Sequence, residues 1–283
     1  MDSTPLVSIG MPVYNEELHL EDALRSLLSQ SFKDFELIIS DNASTDRTGE
    51  ICLTYAAKDP RVRYSRMKTN VGSIANSNHL VQLANAPYFF FASGHDIRHE
   101  SFIARCIEIL EHDTSVVLCY PATRWLEPDG HLGDVMSGQV DTRGMSQASR
   151  FRSVLWGLGS YAYPIYGIMR TDVLKKTGLA RGPIGPDIVL LHELALLGTF
   201  AAVPEPLLYT RRLADFGSWN HYLVKTIGPG GKKRSAWYLY GRMIYENLKT
   251  VAKHTKNPML ALSLILCLLT RYRWVLQTLR QGF

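Results

Sequence analysis

Short β-rich runs alternate with helical stretches through the first hundred residues, and this alternation limits the fold more than any other feature. The runs LVSIGMP (6–12) and FELIIS (35–40) flank a stretch where Leu20, Leu24, Leu27 and Leu28 recur at helical spacing. DNASTDRTGEICLTYAAK (41–58) opens with capping residues and becomes helical, and RVRYS (61–65) is a short strand. SIANSNHLVQLAN (73–85) is helical, and YFFF (88–91) is a buried strand. Strand and helix taken in turn predict an α/β fold, a largely parallel sheet with right-handed crossovers. Ligands bind such sheets in the crevice beyond the carboxyl ends of the strands, so three loops matter first. They read PVYNEE (12–17), SDNASTD (40–46) and SGHD (93–96).

None of these loops holds GxGxxG or GxxxxGK[ST], so neither a dinucleotide fold nor a P-loop NTPase is supported. The chain has 283 residues, 46% apolar and 20% charged, enough for one large domain or two tightly joined halves. A net charge of +5 suits nucleic acid, anionic lipid or a phosphorylated substrate without choosing among them. Cys52, Cys106, Cys119 and Cys267 form no CxxC pair, which predicts a reducing, cytoplasmic setting. The opening MDSTPLVSIG has no basic segment followed by an apolar one and does not read as a secretory signal.

Each loop has a chemical and a plain reading. Asp41 closes a buried strand and can accept a hydrogen bond from a nucleobase N–H, or it can be the first residue of an Asx turn. NVGSIANSN (70–78) sets Gly72 before a helix that carries Asn76 and Asn78, as a nucleotide contact or as ordinary turn and cap chemistry. FFFASGHDIRHE (89–100) runs from buried phenylalanines into His95, Asp96, His99 and Glu100, either a metal or phosphate site or a polar helix start. Asp187 precedes an apolar stripe of Leu190, Leu191, Leu194 and Leu197, where a helix cap is the plain alternative to a catalytic carboxylate.

Taken together, PVYNEE, SDNASTD, NVG and SGHD, followed by YPIYGIMRTDVLKKTGL (163–179) and DIVLLHELALLGTFAAVPEPLLYTRR (187–212), resemble the family 2 inverting glycosyltransferases of GT-A fold. The resemblance covers about three quarters of the chain. It implies a GT-A-like, Rossmann-type sheet with flanking helices and transfer of a sugar from a nucleoside diphosphate sugar to a hydroxyl acceptor, with inversion. The acceptor would be a saccharide, a lipid-linked group or another hydroxyl, and not nucleic acid. Carried over position by position, the donor would meet Pro12, Val13, Tyr14, Glu16, Asp41, Gly72, Asn76, Ser93 and Gly94. SGHD stands where the family has its acidic DxD-type motif, so His95 and Asp96 would hold a divalent cation, Mn2+ or Mg2+. Ser93 replaces the first aspartate, and an imidazole at the third position suits manganese or zinc better than magnesium, so the departure either shifts the metal preference or weakens metal dependence. Asp187 stands where the family has its general base. Many relatives carry Glu-Asp there; this chain has Pro186-Asp187, with Glu193 six residues on as the weaker candidate.

These readings divide the chain into a GT-A domain at 1–215, with a nucleotide-sugar half at 1–112 and an acceptor half at 113–215, and a basic loop with a helical extension at 216–283. KTIGPGGKKRS (225–235) is a flexible basic loop, able to close over a diphosphate or simply solvated. In NPMLALSLILCLLTRYRW (257–274) the apolar run from Met259 to Leu269 falls short of the roughly 20 residues that cross a bilayer. Three roles stay open for it: the membrane interface, a homodimer contact, or the chain's own core. The first would place the protein peripherally at the inner face of a membrane. Two rival functions also follow: a nucleotide-sugar-binding protein impaired in catalysis, and a sugar-phosphate nucleotidyltransferase, which would need a Gly-rich phosphate loop that SIGMPVYNEE does not supply.

Overall fold

A computed structural model of the chain describes residues 4–158, 162–212, 226 and 235–281. Nine strands among these residues form one sheet. Its first half is the expected alternation: β1 (Val7–Val13), α1 (Leu20–Leu28), β2 (Phe35–Asp41), α2 (Thr48–Lys58), β3 (Val62–Arg66), α3 (Ser73–Leu83) and β4 (Tyr88–Phe91). Pairing is parallel along β3-β2-β1-β4. β1 and β4 are buried at almost every residue because helices cover both faces, which is why their sequences run apolar without alternating. Close packing here is tight enough to require Gly10, since a Cβ at that position would fall 2.6 Å from the Phe89 ring.

The chain continues through β5 (Ile97–Arg98), α4 (Phe102–His112), β6 (Val116–Leu126), β7 (Leu132–Val135), α5 (Gln147–Gly157), a 3-10 turn at Tyr163–Tyr166, β8 (Ile168–Arg170), α6 (Thr171–Lys176), α7 (Pro186–Leu197) and β9 (Thr199–Arg211). β8 is antiparallel to both β4 and β6, and so joins the parallel half to a second parallel pair, β6 with β9. β5 pairs antiparallel with the end of β9, Ile97 opposite Tyr209, and this carries the far end of β9 to the SGHD loop.

Two helices close the described chain, α8 (Ala236–His254) and α9 (Pro258–Gln281). With α5 and α7 they enclose a core of Phe151, Leu155, Val189, Leu196, Met243, Val251, Leu264, Leu268 and Tyr272. One face of the 257–274 segment is thus part of the protein's own core. No helix among the described residues is long and apolar enough to cross a membrane. α7 is buried around its whole circumference and not along a stripe alone: Val189 through Leu196 are all buried, the polar His192 and Glu193 included, while Leu197 is only half-buried. The basic loop at 225–235 lies outside the described residues except for Thr226 and Ser235.

Candidate functional site

The carboxyl ends of β1, β2 and β4 deliver three loops that lock into one another. Val13 and Asp41 are level across the β1–β2 pair, and Asn42 N–H donates to the Val13 carbonyl at 2.9 Å. Asn15 sits at φ 54, a left-handed conformation that asparagine tolerates, which turns the loop back over the sheet edge. Asn15 N–H then donates to Ser44 Oγ at 3.0 Å and Glu16 N–H to Thr48 Oγ1 at 2.8 Å. Gly94, in the third loop, leaves no clearance: a Cβ there would lie 3.0 Å from Glu16 Cγ and 3.3 Å from Val13 Cγ1. Pro12 and Val13 end β1, and Tyr14, at 40% exposure, stands open beside them.

Asp41 is fully buried and already engaged. Its Oδ1 accepts the Ser44 N–H at 2.8 Å, the turn contact of the plain reading. Its Oδ2 accepts from the Tyr64 hydroxyl at 3.0 Å and from Arg66 Nη1 at 3.1 Å. A carboxylate offers about four lone-pair positions, so three contacts leave room for one more donor. Burial, followed by the bond to Asp41, pushes the Tyr64 hydroxyl up to about 12. Gly72 takes φ 83 at the start of α3, a backbone conformation for which glycine is suited. Asn76 turns inward: its Nδ2 donates to the Ser40 carbonyl at 2.9 Å and its Oδ1 accepts from Ser40 Oγ at 2.6 Å. Both ends of its amide therefore fasten α3 to β2.

At the SGHD loop, Glu16 Oε2 and His95 Nδ1 are 3.0 Å apart, and His95 Nε2 faces Asp96 Oδ1 at 4.0 Å. Ser93 Oγ accepts the Asp96 N–H at 3.1 Å, a turn contact that fixes the aspartate's backbone. Asp96 is buried, and its Oδ1 accepts the Arg211 N–H at 3.1 Å. Arg211 also donates from Nε to the His95 carbonyl at 3.2 Å and approaches Asp22 at 3.5 Å. Behind the loop the Arg98 guanidinium is buried between the Phe90 and Phe102 rings, 5.2 and 5.3 Å from their centroids. Its Nη2 donates to the Phe91 carbonyl at 2.9 Å, while Nε and Nη1 have no partner among the described residues. Burial pulls it down to about 10, opposed by the charge of Asp96, so it remains a cation at neutral pH.

His19 completes the cluster. Burial, then the charges of Arg211 and His95, hold its pKa below the usual histidine value, with Glu16 and Asp22 opposing. No group of three or more His, Cys, Asp and Glu among the described residues is placed to hold a metal ion. His95 and Asp96 offer two donors, so the remainder of a coordination shell would come from a bound diphosphate and water.

Asp187 lies in the first turn of α7, after Gly185 in a left-handed conformation. The side-chain hydrogen bond found for it among the described residues is from the Ile188 N–H to Oδ1, at 2.9 Å. Burial raises its pKa above the ordinary aspartate value, with the backbone N–H groups opposing. The Tyr166 hydroxyl is pushed up by burial and then by the charges of both Asp96 and Asp187. Glu193 stands in contrast. It is 1% exposed and accepts from Gly178 N–H, Arg181 Nη1, Lys253 Nζ and His254 at 2.7–3.2 Å. Burial alone would push its carboxyl up, but these donors hold it below its ordinary value.

Arg211, Arg98, His19 and Tyr166 gather here without having been singled out from the sequence. Their local sequence does not mark them out: Arg98 stands among polar residues in GHDIRHE, and Arg211 is the first of a pair in YTRR.

Comparison with known proteins agrees with this architecture. Among solved structures, Staphylococcus aureus TarS 1–349 in complex with UDP-GlcNAc superposes with a TM-score of 0.72 at 17% identity, over 94% of this chain and 72% of that one. The mannosyltransferase PcManGT from Pyrobaculum calidifontis, in complex with GDP-Man and Mn2+, gives 0.54 at 13% identity, over 95% and 74%. At such identities the likeness is one of fold, and the fold is that of GT-A glycosyltransferases. Among curated proteins, the glycosyltransferase GlyG of Streptococcus pneumoniae serotype 4 is 23% identical over 199 residues, 69% of this chain and 66% of that protein. The family model for glycosyl transferase family 2 matches residues 8–178, more than half of the chain and all three interlocked loops. The chain belongs to glycosyl transferase family 2.

Proposed function

We propose that this glycosyltransferase moves a sugar from a nucleoside diphosphate sugar to a hydroxyl acceptor with inversion, and that Asp187 is the general base. One contrast carries the reading. Among the described residues Asp187 has a carboxylate with a single side-chain bond, whereas Glu193 on the same helix is closed off by four donors. A base must be free to take a proton, and its raised pKa makes it a better acceptor than an ordinary aspartate. The acceptor oxygen attacks the anomeric carbon as the bond to the diphosphate oxygen breaks, and Asp187 takes the hydroxyl proton. One carboxylate serving as base, with no second one serving as nucleophile, gives a single displacement and hence inversion.

The donor would lie across the three loops, with its base against Tyr14 and Asp41 and its diphosphate near Ser93, Gly94 and the SGHD turn. Pro12, Val13, Glu16 and Gly72 shape that cleft, and Asn76 supports it from below through Ser40. Arg211 and Arg98 add positive charge where a diphosphate would sit. His95 and Asp96 would hold a divalent cation, manganese in preference to magnesium, and such an ion neutralises charge growing on the leaving diphosphate. The acceptor class is a saccharide or a lipid-linked or other hydroxyl. A cytoplasmic setting belongs to the same proposal and is supported by four cysteines that are all free thiols.

The test is a screen of donors, UDP-GlcNAc and GDP-mannose among them, with and without manganese, that measures release of nucleoside diphosphate. The anomeric configuration of the product is then read by NMR. Retention of configuration would sink the single displacement. A second reading, a donor-binding protein without turnover, draws on Ser93 in place of an acid and on the lack of a three-residue metal cluster among the described residues. Tight donor binding with no turnover across a panel of acceptors would favour it.

A further inference from the structure

Charge is divided sharply along this chain. Residues 216–283 carry eleven Lys and Arg against one acid, Glu246, whereas residues 1–215 carry twenty against twenty-five. From Asn247 to the end there is no Asp or Glu at all. On α9 this cationic region also bears an unburied apolar row. Met259, Leu262, Leu266 and Leu269, spaced three, four and three apart, run along one side of the helix and are 44–75% exposed. The opposite side holds Leu264, Leu268 and Tyr272 in the core.

Beside that row lies α5. Arg152 donates to Ser263 Oγ at 2.6 Å, and Trp156, itself 44% exposed, donates from Nε1 to Cys267 Sγ at 3.3 Å. Arg271 stacks 5.2 Å over the Trp156 ring. Lys256 stands before the row and Arg273 after it, both exposed. The face is therefore an apolar stripe with an indole at its margin and cations at both ends and along one side.

We propose that this face of α9 and α5 seats the protein on an anionic lipid surface. Apolar side chains at 259, 262, 266 and 269 would enter the headgroup and acyl boundary, with the helix lying in the plane of the interface. Lys256, Arg152, Arg271 and Arg273 would meet lipid phosphates, and an indole is the side chain most suited to the boundary itself. A second copy is the poorer occupant. A two-fold contact through this face would bring two strongly cationic regions together, and like charge opposes association. None of the residues named for this face is one placed at the donor loops, and the proposal does not rest on the transfer chemistry.

Co-sedimentation of the full chain with vesicles tests it. Binding to phosphatidylcholine containing phosphatidylglycerol should exceed binding to phosphatidylcholine alone by on the order of tenfold and should fall as salt screens the charge. Leu262→Glu with Leu266→Glu should abolish binding with the melting temperature unchanged, because both side chains already face solvent. Lys256→Gln with Arg273→Gln should erase the preference for anionic vesicles. Equal binding to both vesicle types, no binding to either, or full binding by the double glutamate variant would overturn the proposal. Conversion of a dimer to a monomer by that variant, with vesicle binding intact, would assign the face to a second copy instead.

Discussion

Glu16 Oε2 lies 3.0 Å from His95 Nδ1, so a carboxylate from the loop after β1 orients an imidazole from the loop after β4. With the ring held in this way, Nε2 is the nitrogen turned toward Asp96, 4.0 Å from Oδ1. A contact spanning 79 residues sets the geometry of the candidate cation and diphosphate site. His95→Ala should therefore raise the donor dissociation constant by on the order of tenfold and flatten its dependence on manganese, with a smaller change in turnover. Calorimetric titration of donor with and without manganese checks it; unchanged affinity in both arms would remove His95 from the site.

Asp187→Asn keeps the shape and removes the proposed proton acceptor. Turnover should fall by roughly a hundredfold or more while donor affinity barely moves. Because burial raises the Asp187 pKa above its ordinary value, the proposed base would be protonated and inactive as pH falls through that raised value. The acid limb of kcat/KM should lie there in the wild type and vanish in the variant. Near-normal turnover with only a lower melting temperature would make the residue a helix cap.

Glu193→Gln makes the opposite pattern. Replacing the buried carboxylate costs about 1–3 kcal/mol, because its donors lose a charged acceptor while Arg181 keeps Glu246 as a partner. Denaturant unfolding should report that loss, and the activity of the folded fraction should stay near wild type. A large fall in turnover with stability intact would reverse the roles given to Glu193 and Asp187.

Asp41→Asn tests whether the buried aspartate serves structure, donor binding or both. Loss of the charge opposite Arg66 and Tyr64 should destabilise the fold by roughly 1–3 kcal/mol. Donor affinity measured well below the melting temperature separates the two roles, and an unchanged value would confine Asp41 to the turn.

His192 should make stability depend on pH. It is buried, its Nδ1 lies 2.7 Å from Asn247 Oδ1, and burial holds it down to about 4, with the Asn247 bond opposing. The unfolded chain takes up a proton near pH 6.5 and the folded one only near 4, so stability falls as pH drops through that window. At full effect the loss is about 3 kcal/mol. Urea midpoints of the wild type and His192→Gln, compared between pH 7.5 and 4.5, should show a shallower decline in the variant; parallel declines would exclude this histidine.

The first half of the fold could be read from sequence because parallel strands buried on both faces write themselves as unbroken apolar runs. β1, β2 and β4 fall within about two residues of LVSIGMP, FELIIS and YFFF, whereas β3, the half-exposed edge strand, was legible in RVRYS only as a short β-rich run between two helical stretches. Arg211 could not be read in that way. It reaches Asp96 across 115 residues through the pairing of β5 with β9, and nothing local announces a long-range strand pair. Asn76 shows another limit: its spacing after Gly72 fits a ligand contact as well as an inward hydrogen bond, and only the rotation of α3 sends the amide to Ser40. The apolar run at 259–269 was visible, but its division into a core face and an exposed face depends on where α5 and α8 lie.

Glu193 has a consequence for building chimeras with relatives. A fragment trimmed to residues 8–178 keeps the three interlocked loops but discards α7 and Asp187. One cut just beyond β9 keeps α7 yet strips Lys253 and His254 from the Glu193 carboxylate and uncovers the apolar face that α8 and α9 bury. Arg181 ties the same carboxylate to Glu246 on α8, and His192 reaches Tyr272 on α9 through Asn247. In any exchange of acceptor specificity, α7, α8 and α9 should therefore travel as one cassette, since each seam between them would sever a buried polar chain that a foreign helix has no reason to complete.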